Sequence, residues 1–224
     1  MIALAGLFVG QLTIASLGLK GILMEKNSDS TDADFWTIRY AAGRTPWDFG
    51  GIPAALKSFL ASSSAQGSVL IPGCGAGYEV QAFHAAGYNV TAIDFSPAAV
   101  DQAGKVLGPL AEKVILGDFF TYGFGERRFD LIYERTFLCS MPPSCWPDYA
   151  NRMAELLTAE GRLIGVFLYG RQSSAGPPYP LTDEQAQEIF QDKFRLVRSE
   201  PMTDSLTLFR DMERWQEWLK IPKT

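Results

Sequence analysis

The sequence predicts an α/β fold: a doubly wound, Rossmann-like sheet of about seven strands with helices on both faces. Three observations carry this. Strand and helix patterns alternate from residue 68 to residue 190. The apolar run Ser68–Pro72 passes directly into Gly73-Cys74-Gly75-Ala76-Gly77, three glycines at alternate positions, and a helical stretch follows. A second apolar run, Asn89–Ile93, ends in the carboxylate of Asp94. Glycines let a backbone turn sharply and approach a ligand, and in such sheets ligands lie across the carboxyl ends of the strands.

The elements follow in order. Asp34 to Tyr40 reads as a short helix carrying Phe35, Trp36 and Tyr40. Residues 43–51 are a loop by their Gly and Pro content. Pro53 to Leu60 is a helix, and Ser62 to Ser64 a loop. The first strand is 68–72; Tyr78 to Ala86 is a helix that Gly87 stops as a C-terminal cap. The second strand is 89–93. Ser96 as N-cap and Pro97 at the first helical position open the next helix. Lys113 to Leu116 is the third strand, ending at Gly117-Asp118. Phe129 to Tyr133 is the fourth, ending at Glu134-Arg135. Trp146 to Leu157 is a helix and Arg162 to Leu168 the fifth strand, followed by Tyr169. Thr182 caps a helix to Phe190, with Gln185 completing a capping box. Phe194 to Ser199 and Asp211 to Leu219 close the chain as strands. The polar signatures thus gather at strand ends: the glycine loop, Asp94, Asp118, Glu134-Arg135 and Tyr169.

Composition narrows the function. The 224 residues, 47% hydrophobic, suit one domain with a full core. The net charge is −5 and no basic patch stands out, which disfavours nucleic-acid partners. Three cysteines, Cys74, Cys139 and Cys145, point to a reducing, cytoplasmic setting rather than a disulfide framework. Cys139 and Cys145 read as small buried residues. No metal-ligand spacing is present. The single histidine, His84, falls on a helix surface, and no GxSxG elbow accompanies it.

Residues 1–23 stand apart from the single domain expected over 24–224. Met1 to Leu19 carries no charged side chain, and Lys20 follows. That is close to the ~20 residues that span a bilayer. Two readings compete: an upstream extension with Met24 as the working start, or a marginal membrane anchor with Lys20 on the cytoplasmic side. Membrane contact is expected only in the second case.

The glycine loop selects the cofactor. A nicotinamide dinucleotide site needs G-x-G-x-x-G. Here the third glycine comes one place early, at Gly77, and Tyr78 follows. G-x-G-x-G with acids at successive strand ends favours S-adenosylmethionine. Gly73, Cys74, Gly75 and Gly77 then let the amino-acid half of the cofactor approach. Asp94, with Phe95 and Ser96 beside it, takes the ribose hydroxyls. Asp118 accepts from the adenine amino group while Phe119 stacks on the ring, and Glu134 closes the row; the alternative for Asp118 is a turn cap.

The chain resembles the thiopurine methyltransferase superfamily of class I methyltransferases, and within it the plant-type halide, thiocyanate and thiol methyltransferases. Four segments carry the resemblance from about residue 34 onward. They are Trp36 and Tyr40 with Thr45-Pro46-Trp47-Asp48 and Gly50; Ile71-Pro72-Gly73-Cys74-Gly75 with Ala92-Ile93-Asp94; Phe129 to Tyr133 through Cys139; and Tyr169 with Gly176-Pro177-Pro178-Tyr179. The acid that general methyltransferases carry before the glycines is absent at Ile71, as in this family. The resemblance implies that Trp36, Tyr40 and Trp47 cover the cofactor. The family usually has tryptophan at the place of Tyr40. Aromatic faces attract a sulfonium by roughly 0.5–2 kcal/mol.

The acceptor is expected to be a small soft nucleophile, most directly a thiol. Methyl transfer to a thiolate needs positioning and desolvation rather than a strong base. Arg135 would raise the thiolate fraction, because thiols ionise near 8.5. Thiopurine methyltransferases carry an arginine at the matching place and plant halide methyltransferases an aromatic. Tyr169 and Tyr179 are candidates for the acceptor pocket, and Phe137, Leu138, Met141 and Pro142-Pro143 for its wall. Gly176-Pro177-Pro178-Tyr179 spells the motif of amino-group methyltransferases but follows the fifth strand instead of the fourth, which disfavours amine acceptors. The competing readings are a halide or thiocyanate methyltransferase, a cofactor-binding protein without transfer activity, and a nucleotide-dependent oxidoreductase, which the glycine spacing disfavours. Nothing in the sequence implies a protein partner.

Overall fold

The computed structural model describes residues 29–63, 67–171 and 176–222. The two readings of residues 1–23 lie outside that range. Helices α1 (Ala33–Ala41) and α2 (Ala54–Ser62) precede strand β1 (Ser68–Pro72). Then come α3 (Tyr78–Ala85), β2 (Asn89–Asp94), α4 (Pro97–Leu107), β3 (Val114–Leu116) and β4 (Phe129–Arg135). Helix α5 (Trp146–Leu156), β5 (Leu157–Leu168), α6 (Asp183–Phe190), β6 (Phe194–Pro201) and β7 (Glu213–Lys220) complete the order. The strands form one seven-stranded sheet in the order β3-β2-β1-β4-β5-β7-β6. Strands β1 to β5 run parallel, whereas β7 inserts antiparallel between β5 and β6. The sheet is therefore mixed, with its parallel half carrying the strand ends that the sequence singled out.

The period-two alternation of side chains gives the sheet two cores. Leu70, Ile93, Ile132, Leu163 and Phe167 face α5 and α6 through Tyr149, Met153 and Phe190. Val69, Ile71, Val90, Leu131 and Ile164 face α2, α3 and α4 through Phe59, Phe83 and Leu107. Continuous apolar runs such as Val69-Leu70-Ile71 are what a strand covered on both faces requires.

Most boundaries match the sequence reading within two residues. Pro53 is the N-cap of α2 rather than its first helical residue. Ser96 and Thr182 cap α4 and α6 as expected, and Gln185 completes the capping box. Strand β5 differs most: it begins at Leu157, five residues early. Leu157 pairs with Phe129, the register then shifts, and Arg162 pairs with Leu131. Thr158 to Gly161 form the resulting irregularity, which no hydrophobic period signals.

Gly165 sits where β5 passes β4 at Glu134, with φ at +144°. A Cβ there would be driven into the Glu134 carbonyl. Gly165→Ala combines this clash with a strained backbone, each worth about 1–3 kcal/mol. Thermal unfolding should fall by roughly 10 °C; an unchanged midpoint would show that the two strands separate without cost.

Candidate active site

A cavity of about 830 Å³ opens at the carboxyl ends of β1, β2 and β4. Its floor is the glycine loop. Gly73 and Gly75 have φ of +58° and +52°, and a Cβ on either would run into a neighbour: the Phe137 ring and the Tyr40 hydroxyl respectively. The loop is held by Asp94, which is 8% exposed. Its Oδ2 accepts the Gly75 N–H at 3.0 Å and its Oδ1 the Ser96 N–H at 2.9 Å. Burial pushes this carboxyl above the usual carboxylate range, opposed by backbone N–H groups of Ser96, Gly75 and Phe95.

Helix α1 and the loop after it roof the cavity with aromatic rings. Trp36 and Trp47 meet edge to face at 5.2 Å, and Tyr40 meets Trp47 at 6.0 Å. The Trp36 indole N–H donates to the Ser30 carbonyl at 2.8 Å, and the Trp47 indole N–H reaches the Tyr40 hydroxyl at 3.4 Å. Tyr40 therefore ties the roof to the glycine loop. Phe95, Asp118, Phe119, Phe120 and Phe137 continue the wall.

On the far wall stand Tyr133, Arg135 and Glu79. The Arg135 side chain is 9% exposed; its guanidinium lies 4.5 Å from the centre of the Phe49 ring and 3.9 Å from Glu79 Oε1. Its Nη1 is buried and has no hydrogen-bond partner, and the same holds for the Tyr133 hydroxyl. Cys74, Cys139 and Cys145 also line the cavity as free thiols, and burial pushes the first two thiols up.

Five expected site residues do not line the cavity. Tyr169 is 6% exposed; its hydroxyl donates to Gln216 at 3.1 Å and Arg214 covers its ring at 4.1 Å. Pairing with β7 claims this side chain. Tyr179 packs its ring over Gly176 and donates its N–H to the Cys139 carbonyl. Glu134 is 1% exposed and alternates away from the cavity, between Tyr133 and Arg135. Its Oε1 accepts the Phe137 and Leu138 N–H groups and its Oε2 the Tyr149 hydroxyl. It holds the turn in which Thr136 has φ +56°. Ser96 is fully buried; its hydroxyl caps Ala99 and meets Thr37 of α1 at 3.1 Å. Gly77 lets α3 pack closely on Leu107. Two further side chains act differently than expected. Asp118 lines the cavity, but its oxygens accept from Phe120 N–H and Thr121 Oγ1, the turn-cap alternative. Phe119 is 3% exposed beneath Phe120 and Phe137, which present more ring to the cavity.

Comparison with known proteins decides the family. The model of the thiopurine S-methyltransferase family matches residues 31–218. The chain belongs to this family. A probable thiol methyltransferase 2 of Arabidopsis thaliana is 33% identical over 172 residues, covering 75% of this chain and 74% of that protein. A thiocyanate methyltransferase 1 of Brassica oleracea is 31% identical over 192 residues, covering 83% and 84%. In fold, the chain is similar to the Burkholderia thailandensis 1,6-didemethyltoxoflavin-N1-methyltransferase, solved with bound 1,6-didemethyltoxoflavin and S-adenosylhomocysteine. The TM-score is 0.69 at 19% identity, over 98% of this chain and 93% of that one.

The thiopurine S-methyltransferase relationship makes this protein a methyltransferase with S-adenosylmethionine as methyl donor. The cavity fits that donor: side-chain-free glycines at the floor, a buried carboxylate beside them and an aromatic roof for a cation. Sequence reasoning missed Glu79, Phe49 and Phe120. Phe120 follows a residue already singled out, and Glu79 sits in the first turn of the helix after the glycines; Phe49 carries no signal beyond its loop.

Burial pushes the Glu134 carboxyl up to about 7 from 4.5. The folded protein then holds a proton that the unfolded chain releases, so this group's contribution to stability declines as pH rises from about 4.5 to about 7. Glu134→Gln should remove that component from the pH–stability curve. Glu134→Ala, which orphans two N–H groups and the Tyr149 hydroxyl, should cost about 3 kcal/mol in urea unfolding. Parallel curves for wild type and Glu134→Gln would refute the first expectation.

Proposed function

We propose that the protein transfers the methyl group of S-adenosylmethionine to a small thiol, which binds beside Arg135 as its thiolate. The observation that carries this is the buried Nη1 of Arg135 in the cavity wall with no hydrogen-bond partner. A buried polar donor of this kind leaves about 1–3 kcal/mol unsatisfied until a partner arrives. Glu79 offsets its charge from 3.9 Å without a close hydrogen bond, and Phe49 fixes the plane of the guanidinium. Glu213 of β7 also faces the Arg135 charge, yet Nη1 still has a hydrogen bond to offer an incoming soft anion.

The chemistry asks little else of the protein. The bound cofactor supplies a methyl group on a positively charged sulfur. The chain's residues hold that group in a cavity whose roof and walls carry Phe and Trp rings, exclude water, and aim a desolvated thiolate along the line of displacement. Trp36, Tyr40 and Trp47 favour the cation on the cofactor side and Arg135 the anion on the acceptor side.

Thiocyanate or a halide is the second reading, since a guanidinium attracts these anions too and two relatives are named thiocyanate methyltransferases. A binding-only protein would hold the cofactor and transfer nothing. The three free thiols suit a reducing, cytoplasmic site of action, where removal or volatilisation of reactive thiols is a fitting role. No helix of the described residues is long and apolar enough to cross a membrane.

Arg135→Ala should lower kcat/KM for thiols about 100-fold, in line with loss of one charge-assisted contact, while cofactor affinity changes less than about threefold. Arg135→Lys, which keeps the charge, should recover part of the loss. Steady-state kinetics beside calorimetric titration of the cofactor checks this. Unchanged turnover in Arg135→Ala would reject the anion-holding role.

A further inference from the structure

Four carboxylates line the cavity among the described residues: Asp48, Glu79, Asp94 and Asp118. Three are committed. Asp94 accepts one hydrogen bond from the glycine loop and one from its own turn, and Asp118 accepts two within its own turn. Asp48 accepts the Gly50 N–H at 2.8 Å and meets the Tyr78 hydroxyl. Glu79 is different. It is 8% exposed, and its partners are its own backbone N–H and Arg135 at 3.9 Å, too far for a hydrogen bond. The two groups coupled to it, Arg135 Nη1 and the Tyr133 hydroxyl, are buried without hydrogen-bond partners. A carboxylate, a guanidinium and a phenol therefore share one wall with unused hydrogen-bonding capacity. That set suits an acceptor that arrives neutral, gives up a proton and leaves a negative charge behind.

We propose that Glu79 is the general base that takes the proton from the acceptor thiol. The proposal rests on the thiol reading above. The Glu79 carboxylate removes the S–H proton and becomes a carboxylic acid, and the sulfur keeps the bonding pair as a thiolate facing Arg135. The thiolate pair then forms the new S–C bond while the sulfonium's S–CH3 bond breaks, its pair returning to the cofactor sulfur. The proton leaves Glu79 for water when the products depart.

The electrostatics support the step. Burial pushes the Glu79 carboxyl up, Arg135 pulls it down, and Asp48 adds to the rise. The groups facing it are Arg135 and Tyr133 of β4, Asp48 of the roof loop and Cys74 of the glycine loop, with Tyr78 on its own helix. A base raised toward the thiol, and a thiol lowered toward the base by Arg135, are matched for proton transfer. A thiolate needs no such base, and neither does iodide or thiocyanate.

That difference supplies the test. We would measure kcat/KM from pH 6 to 9 with a small alkyl thiol and with an aryl thiol already ionised throughout, for wild type and Glu79→Gln. Cofactor affinity is followed by calorimetry and folding by circular dichroism. Wild type should reach its plateau with the alkyl thiol below the thiol's own pKa of roughly 8.5. In Glu79→Gln the alkyl profile should climb about tenfold per pH unit to that value. The alkyl-to-aryl ratio at pH 7 should drop about 100-fold. Equal losses with both thiols would overturn the proposal, as would weaker cofactor binding at an unchanged ratio, which makes Glu79 a partner of the cofactor's ammonium. If Glu79→Gln fails to fold, the wild-type alkyl profile decides alone: a rise that follows the thiol's own ionisation refutes the base. Absence of transfer from wild type to every thiol would instead defeat the thiol reading itself.

Discussion

The clamp made by Asp94 organises the carboxyl edge of the sheet. One buried carboxylate takes the N–H of Gly75 from the loop after β1 and the N–H of Ser96 from the cap of α4. It thereby fixes the glycine loop against the second strand. Ser96, held by the same contact, reaches Thr37 and so anchors α1, which carries the aromatic roof. Asp94 thus holds the floor directly and steadies the roof through Ser96. Burying a carboxylate is unfavourable unless its oxygens are hydrogen-bonded, and the backbone N–H groups here supply that requirement. Any ribose contact by Asp94 would add to a carboxylate that the fold already positions.

The second organising constraint is the period of a strand. Along the end of β4, Tyr133 and Arg135 face the cavity while Glu134 faces α5. One strand end therefore serves two layers. Glu134, turned toward α5, fastens the turn through Phe137 and Leu138, and that turn carries Phe137 against Gly73. Inward-facing Arg135 meets Phe49 from the roof loop and Glu79 from α3. The acceptor side of the cavity is thus assembled from three separate stretches of chain around one guanidinium.

Much of this was legible in the sequence. Strand ends that finish in Gly, Asp or Arg mark the edge where polar groups collect, and alternation of strand and helix fixes the parallel half of the sheet. The glycine spacing separated one cofactor class from another. What failed did so for identifiable reasons. Position along the chain puts Tyr169 and Glu134 at strand ends but does not give the direction in which each side chain leaves its strand. The antiparallel insertion of β7 beside β5 brings Gln216 and Arg214 to Tyr169, and no local pattern announces a pairing 47 residues away. Gly77 shares a motif with Gly73 and Gly75 yet serves helix packing, because Leu107 reaches it from α4. Glu79 carries no signal in the sequence, because an acid in the first turn of a helix is ordinary. Only its burial beside an underused arginine distinguishes it.

The proposed reaction of this cavity is methyl transfer onto sulfur held as an anion. A single-turnover experiment tests it most directly: enzyme loaded with methyl-labelled S-adenosylmethionine is mixed with a small thiol, and with an amine and an alcohol of the same size. Stoichiometric label is expected in the thioether and none in the amine or ether products. Label retained by the cofactor in every mixture, or carried to nitrogen in preference to sulfur, would contradict it.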